Sequence, residues 1–351
     1  MSSTARRYAA LDLALERGLL PDALLRAGSR WGAGRRLRRE ERGGVAVQDD
    51  RRQALIERMS SGPIAERPES ANEQHYELPA EFLGLILGPR RKYSGCLWSD
   101  GVTDLAGAED AMLDLTVRRA GLRDGMELLD LGCGWGSLSL YVAERFPACR
   151  ILAVSNSHGQ REHLERERDA RGIDPARLRV VTQDINDFDT DRRFDRVISI
   201  EMLEHLRNWH ELLRRVAGWL RPDGRCFVHV FSHRRIAYRF VGTWAAERFF
   251  TEGTMPSHDL LERFADDLVV ERRWAVDGTH YARTLEAWLA RLDAHRDEAL
   301  ALLEAHGGRR AARRLLGGWR LFLLSTEQIW GRSGGQEWLV SHYLLRPRST
   351  D

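Results

Sequence analysis

Two short stretches of this chain bring together residue types that can do chemistry. One is Glu201-Met202-Leu203-Glu204-His205, two carboxylates and an imidazole within five positions. Titratable groups gathered at one point tune one another's proton affinity, which suits proton transfer at neutral pH. A single histidine in a loop would be read as an ordinary solvated residue. The other stretch is Asp130-Leu131-Gly132-Cys133-Gly134-Trp135-Gly136, with glycines at alternate positions behind an apolar run that ends in an acid. Such a turn lets backbone N–H groups close in on a ligand at the electropositive start of a helix, and Asp130 can hold a cationic group beside it. The G-x-G-x-G spacing does not meet the G-x-x-G of a dinucleotide fingerprint, and such turns also occur as plain strand-to-helix connections. No His-Glu-x-x-His or Cys-x-x-Cys spacing is present, so no metal is expected.

The elements that must position these residues alternate. The run before Gly132 reads as a buried strand. Further strands are expected at Arg150–Val154, Leu178–Thr182, Phe194–Ile200 and, after a Pro222-Asp223-Gly224 turn, Arg225–Phe231. Helical stretches at His158–Gly172 and Asn208–Leu220 separate them. This alternation means a parallel sheet covered on both faces, with ligands beyond the C-terminal ends of its strands. Asp130, Ser155-Asn156, Asp184 and Glu201 all fall at such ends.

Ahead of the sheet, residues 5–60 read as helices, Glu81–Leu87 as a short helix and Asp104–Arg119 as an amphipathic one. Arg35–Arg42 is a basic run, read as a solvated helix face paired with Glu40 and Glu41 in preference to a membrane or nucleic-acid surface. Behind the fifth strand, residues 234–264 read as helical with a loop at Thr251–Ser257. A strand at Asp267–Val276, helices over Arg283–Leu316 and Trp319–Trp330, and a last strand at Glu337–Leu345 follow. Trp288, Trp319, Phe322, Trp330 and Trp338 are candidates for a pocket wall, but most of them are expected in the core.

Composition sets bounds. With 351 residues and 43% hydrophobic content the chain can bury a large core and carry a helical appendage. Fifty-four Lys and Arg against 52 Asp and Glu leave a net charge of +2, which gives no argument for nucleic acid. Four scattered cysteines suit a reducing, cytoplasmic setting, and no apolar run suggests export or a membrane span.

Asp130–Gly136 resembles the first motif of class I S-adenosylmethionine-dependent methyltransferases, and its Cys-Gly-Trp-Gly form is similar to that of the cyclopropane fatty acid synthase superfamily. The resemblance implies a Rossmann-like α/β fold with a seven-stranded, mostly parallel sheet and helices on both faces. It also implies an N-terminal helical extension over residues 1–70 and a methyltransferase domain over 71–351. That domain would carry a lid segment at 71–100 and a helical substrate cover at about 234–335. S-adenosylmethionine would meet Asp130, Gly132 and Gly134 at its amino-acid end, with Tyr93 and Ser94 in contact. Ser155, Asn156 and Gln160 would take the ribose and adenine region, and Asp184 and Ile185 the adenine. Tyr76, Glu77, His229, Tyr281 and Trp338 fall on the substrate side.

Two branches of that superfamily divide at the substrate. The lipid-modifying branch uses a Cys, a Glu, a His and a Tyr to hold bicarbonate, and Glu204, His229 and Tyr281 match three of these. Gly95 stands where the cysteine is expected, with Cys96 adjacent, and Glu201 stands where the lipid enzymes have glycine. Both departures resemble the coclaurine N-methyltransferase-like branch. The resemblance implies N-methylation of a small aromatic or cyclic amine, with Glu201 and His205 as proton acceptors and Glu204 in support. The alternative is a cyclopropane-type modification of an unsaturated acyl chain in a membrane phospholipid. A homodimer is compatible with either.

Overall fold

A computed structural model describes residues 8–66 and 79–348. Three helices lead the chain: α1 (Ala9–Glu16), α2 (Asp22–Glu40) and α3 (Gly44–Arg58). The short α4 (Ala80–Ile86) and the amphipathic α5 (Leu105–Ala120) follow. Asp104 caps α5 by accepting from the Gly107 N–H at 2.8 Å, one of the donors that a helix start leaves without an internal partner.

Strand–helix alternation then builds the sheet. β1 (Glu127–Leu131), α6 (Ser137–Arg145), β2 (Arg150–Ser155), α7 (His158–Ala170), β3 (Leu178–Thr182) and β4 (Phe194–Ile200) occur in that order. After α8 (Trp209–Trp219) comes the long β5 (Leu220–His233). Pairing passes from Phe194↔Leu220 to Arg196↔Arg225, so the expected Pro222-Asp223-Gly224 turn is a bulge within β5 instead of a break before it.

The order across the seven-stranded sheet is β3-β2-β1-β4-β5-β9-β8, where β8 is Leu268–Val276 and β9 is Trp338–Pro347. β1 to β5 run parallel, and β9 inserts antiparallel between β5 and β8. Alternate residues of each strand feed two cores. Leu129, Val197, Val228 and Val230 meet Leu212, Leu213 and Trp219 of α8 on one face. Leu128, Ile198 and Phe227 meet Leu113 and Val117 of α5 and Leu138 of α6 on the other.

Residues 234–264 correct the helical expectation. They hold only α9 (Trp244–Phe249), a single 3₁₀ turn at Leu260–Arg263, and a small antiparallel pair, β6 (Tyr238–Arg239) with β7 (Thr254–Met255). Ile236, Trp244, Phe249 and Met255 are buried there because neighbouring elements cover them, not because they share one helical face. Beyond β8, α10 (Gly278–Ala294), α11 (Arg296–Gly307) and α12 (Arg309–Trp330) stack over the C-terminal edge of the sheet, with α1 and α2 packed on α12. Among the described residues no helix is long and apolar enough to cross a membrane.

The basic run lies mostly on α2. There Arg36 pairs with Glu40 at 2.9 Å and donates to the carbonyls of Arg239 and Val241, tying α2 to the end of β6 and the residues just after it.

Candidate active site

The strand ends deliver the expected groups to one groove. At the end of β1, Asp130 is buried and accepts from the Ser139 hydroxyl at 2.5 Å. Burial pushes its carboxyl up to about 6, and the Ser139 donor offsets this only in part. A cationic ligand group beside it would restore the charge. The backbone at Gly134 has φ +52°, and a Cβ there would meet nothing within 4 Å, so the turn faces open space. At Gly132, φ is +81° and a Cβ would press on Met202.

The groove has two lobes. One is lined by Lys92, Tyr93, Ser94, Asp130 and Ser137. The other is lined by Ser155, Asn156, Asp184, Ile185 and Met202. Gly132, Gly134 and Gln160 belong to both. Ser155 donates to the Gln160 side-chain carbonyl at 2.6 Å, and Asp184 caps its own turn by accepting from the Asn186 N–H at 2.7 Å. The side-chain amide nitrogen of Gln160 and the hydroxyl of Ser137 have no partner among the described residues, although buried. An elongated ligand with an ammonium at one end and a heterocycle at the other fits these unused donors, the buried acid and the bare glycine turn.

The second cluster lies past β4. Glu201 takes a left-handed backbone, φ +46°, which is unfavourable for a side chain and natural for glycine. Its carboxylate is gripped from three directions. Oε1 accepts from the Gly95 N–H at 3.1 Å and faces His229 Nε2 at 3.3 Å, and Oε2 accepts from the Tyr281 hydroxyl at 2.7 Å. Lys92 is buried close by, with Nζ donating to Ser94 Oγ at 2.5 Å and to the Gly95 carbonyl at 2.8 Å. Motif spacing offers no signal for Lys92. A lysine that sits between Arg91 and Tyr93 in an irregular segment is found only through its spatial neighbours.

Glu204 is equally buried, but its Oε2 has no partner among the described residues. Burial, then the nearby Glu201 charge, pushes its carboxyl well above the carboxylate range. Burial also raises Glu201, but Lys92, the Tyr281 and Gly95 donors and His205 pull it back. The pair therefore keeps its negative charge on Glu201. The His205 ring stacks on Phe250 with centroids 5.8 Å apart.

Beside these groups opens a cavity of about 480 Å³. Glu201, Glu204 and His205 form part of its wall, and Phe322, Trp330 and Trp338 much of the rest. Trp288 also faces it, so four of the five aromatics expected mainly in the core line the cavity as well, while Trp319 is buried behind them. Gly28, Gly32 and Ala33 of α2 face it from the N-terminal side. Among the described residues, Glu201 alone borders both lobes of the groove and the cavity. Tyr93, Tyr281 and His229 converge on the same region, whereas Tyr76 and Glu77 lie outside the described residues.

The profile of the mycolic acid cyclopropane synthetase family matches residues 65–330. The chain is 35% identical to (S)-coclaurine N-methyltransferase of Thalictrum flavum subsp. glaucum, over 95% of this chain and 94% of that protein. A crystal structure of coclaurine N-methyltransferase bound to N-methylheliamine and SAH superposes with a TM-score of 0.93 at 34% identity, over 97% of this chain and 99% of that one. Cyclopropane-fatty-acyl-phospholipid synthase of Escherichia coli (strain K12) is 28% identical over 62% of this chain and 55% of its own length. The two-lobed groove fits the S-adenosylmethionine that such enzymes consume. The chain belongs to the mycolic acid cyclopropane synthetase family, together with the coclaurine N-methyltransferases it resembles along nearly its whole length, and is an S-adenosylmethionine-dependent methyltransferase.

Proposed function

We propose that this enzyme N-methylates a small aromatic or cyclic amine. The observation that carries the reading is Glu201 at the junction of the groove and an aromatic cavity, with Glu204 and His205 beside it in the cavity wall. S-adenosylmethionine supplies an electrophilic methyl group on a sulfonium. Asp130 and the Gly132–Gly134 turn would hold its amino-acid end, Ser155, Asn156 and Gln160 its ribose, and Asp184 and Ile185 its adenine.

The chain's own residues then have to bind an amine and free its lone pair. An ammonium entering the apolar cavity is attracted by the charge on Glu201 and by the faces of Trp330 and Trp338. Glu204, desolvated beside the Glu201 anion, holds its own proton. We infer that His205 receives the proton that leaves the nitrogen, with Glu204 in support, and that Glu201 stays as the anchored anion. A secondary amine gives up one proton in total, to the imidazole. A tertiary amine that arrives neutral gives up none and leaves as a quaternary cation.

Glu201 also argues against the lipid reading. In the lipid branch, residues matching His229 and Tyr281 help to hold bicarbonate. Here those donors already serve the Glu201 carboxylate, and Gly95 provides no thiol. The same reading treats residues 1–70 as a helical extension whose α2 closes the cavity, and 71–351 as the methyltransferase domain with its cover at about 234–335. A reducing cytoplasm suits four free, buried cysteines.

The test is incubation with isotope-labelled S-adenosylmethionine and a panel of cyclic secondary and tertiary amines, in parallel with unsaturated phospholipid vesicles. Mass spectrometry should find one added methyl group on an amine. Label in the acyl chains, with none on any amine, would overturn the reading.

A further inference from the structure

The Glu201 carboxylate stands at one end of a hydrogen-bond line that leads away from the cavity and plays no part in the proton transfer above. His229 on β5 and His342 on β9 face one another in register across the antiparallel pair. Both are fully buried. His229 Nε2 lies 3.3 Å from Glu201 Oε1, and its Nδ1 lies 3.0 Å from His342 Nε2. The remaining ring nitrogen, His342 Nδ1, is 2.8 Å from an Nη1 of Arg119 on α5. The Arg119 guanidinium is half-buried and held 5.0 Å over the Trp274 ring.

Chemistry fixes the direction of this line. A guanidinium has donors only and keeps its proton in proteins. His342 Nδ1 must therefore accept from Arg119, so a neutral His342 carries its proton on Nε2. That proton is donated to His229 Nδ1, which leaves the His229 proton on Nε2, aimed at Glu201. Burial first, with Lys92 and Arg119 adding repulsion, holds His229 well below its usual range. Burial, His229 and Arg119 do the same for His342. Both rings thus stay neutral, and neutral rings can transmit a choice of tautomer.

We infer that Arg119 and His342 are positioning residues that lock the His229 tautomer so that it donates to Glu201. Because the line ends in a group that cannot accept a proton, it works as a polarity lock and not as a proton exit. Protons from the amine must leave on the cavity side. The inference rests on the proposed reading only in treating Glu201 as the site's anion. The tautomer itself does not depend on which molecule is methylated.

The experiment is ¹⁵N NMR of the histidine rings in the full-length protein without amine, combined with kinetics. Wild type should show His229 protonated on Nε2 and bare on Nδ1. Arg119→Glu replaces the donor by an acceptor and should reverse both rings, turning a His229 lone pair towards Glu201. Its kcat should fall about ten- to a hundredfold, the scale of a lost hydrogen bond to a buried charge, with S-adenosylmethionine affinity kept within a few-fold. Arg119→Lys, which keeps a donor, should restore the tautomer and most of the turnover. His229 protonated on Nδ1 in wild type would overturn the inference without any variant having to fold. So would an Arg119→Glu protein with unchanged tautomer and turnover. Absence of any amine substrate would sink the N-methylation reading and leave the tautomer result standing.

Discussion

The hydroxyl of Tyr281 donates to the carboxylate of Glu201 at 2.7 Å, joining the first turns of α10 to the end of β4. Neither group has much water to turn to, so each depends on the other. A hydrogen bond to a buried charge contributes about 1.5–3 kcal/mol. Tyr281→Phe should therefore lower kcat/KM for the amine by roughly 10- to 100-fold. Affinity for S-adenosylmethionine, measured by calorimetry, should change far less. Equal losses in both would mean that Tyr281 only supports the fold.

His205→Ala removes the proposed base, whereas Glu204→Gln keeps both the shape and the neutrality of the protonated carboxyl. Loss of general-base help typically costs ~10²–10⁴-fold in turnover, expected for His205→Ala and not for Glu204→Gln. The folded carboxyl lies above its usual 4.5, so wild type loses this group's stabilising contribution as pH rises past 4.5. The amide does not titrate, and its Tm at neutral pH should equal or exceed that of wild type. A folded His205→Ala protein that keeps turnover would overturn the assigned base.

Gly134→Val combines two faults. The left-handed backbone resists a β-branched residue, and the side chain would fill the open space at the glycine turn. Calorimetry should find S-adenosylmethionine binding lost. The aromatic cavity lies elsewhere and should still bind an amine, as seen by quenching of its tryptophan fluorescence.

Asp130 gives a pH signature in the protein without cofactor. Its folded value of about 6 exceeds the usual 3.8, so the unfolded chain sheds this proton first. Its contribution is fully present below 3.8 and is lost as pH rises through about 6. The loss is on the order of 3 kcal/mol. Asp130→Asn should gain stability relative to wild type between about pH 4 and pH 7 in denaturant titrations. Adding S-adenosylmethionine should stabilise wild type and not the variant. A gap that does not change with pH would contradict the buried-carboxyl account.

What the sequence determined by itself was everything written in short-range patterns. The alternating glycines after Asp130 and the run of strands and helices depend on torsions and periods within a few residues. A parallel sheet then carries Asp130, Ser155 and Glu201 to the same edge, because its strands share a direction. The two departures at Gly95 and Glu201 were also legible, and they pointed to the amine branch. Tertiary structure alone decided who holds whom. Glu201 meets Gly95, His229 and Tyr281 from three distant parts of the chain, and His229 meets His342 only because β9 inserts in a particular register. Lys92 and Arg119 carried no motif, and residues 234–264 passed for helix because their apolar residues are covered from several sides. Periodicity records which face is buried, but not which donor lies opposite an acceptor. That depends on register and burial, which exist only once the sheet and its cover have closed.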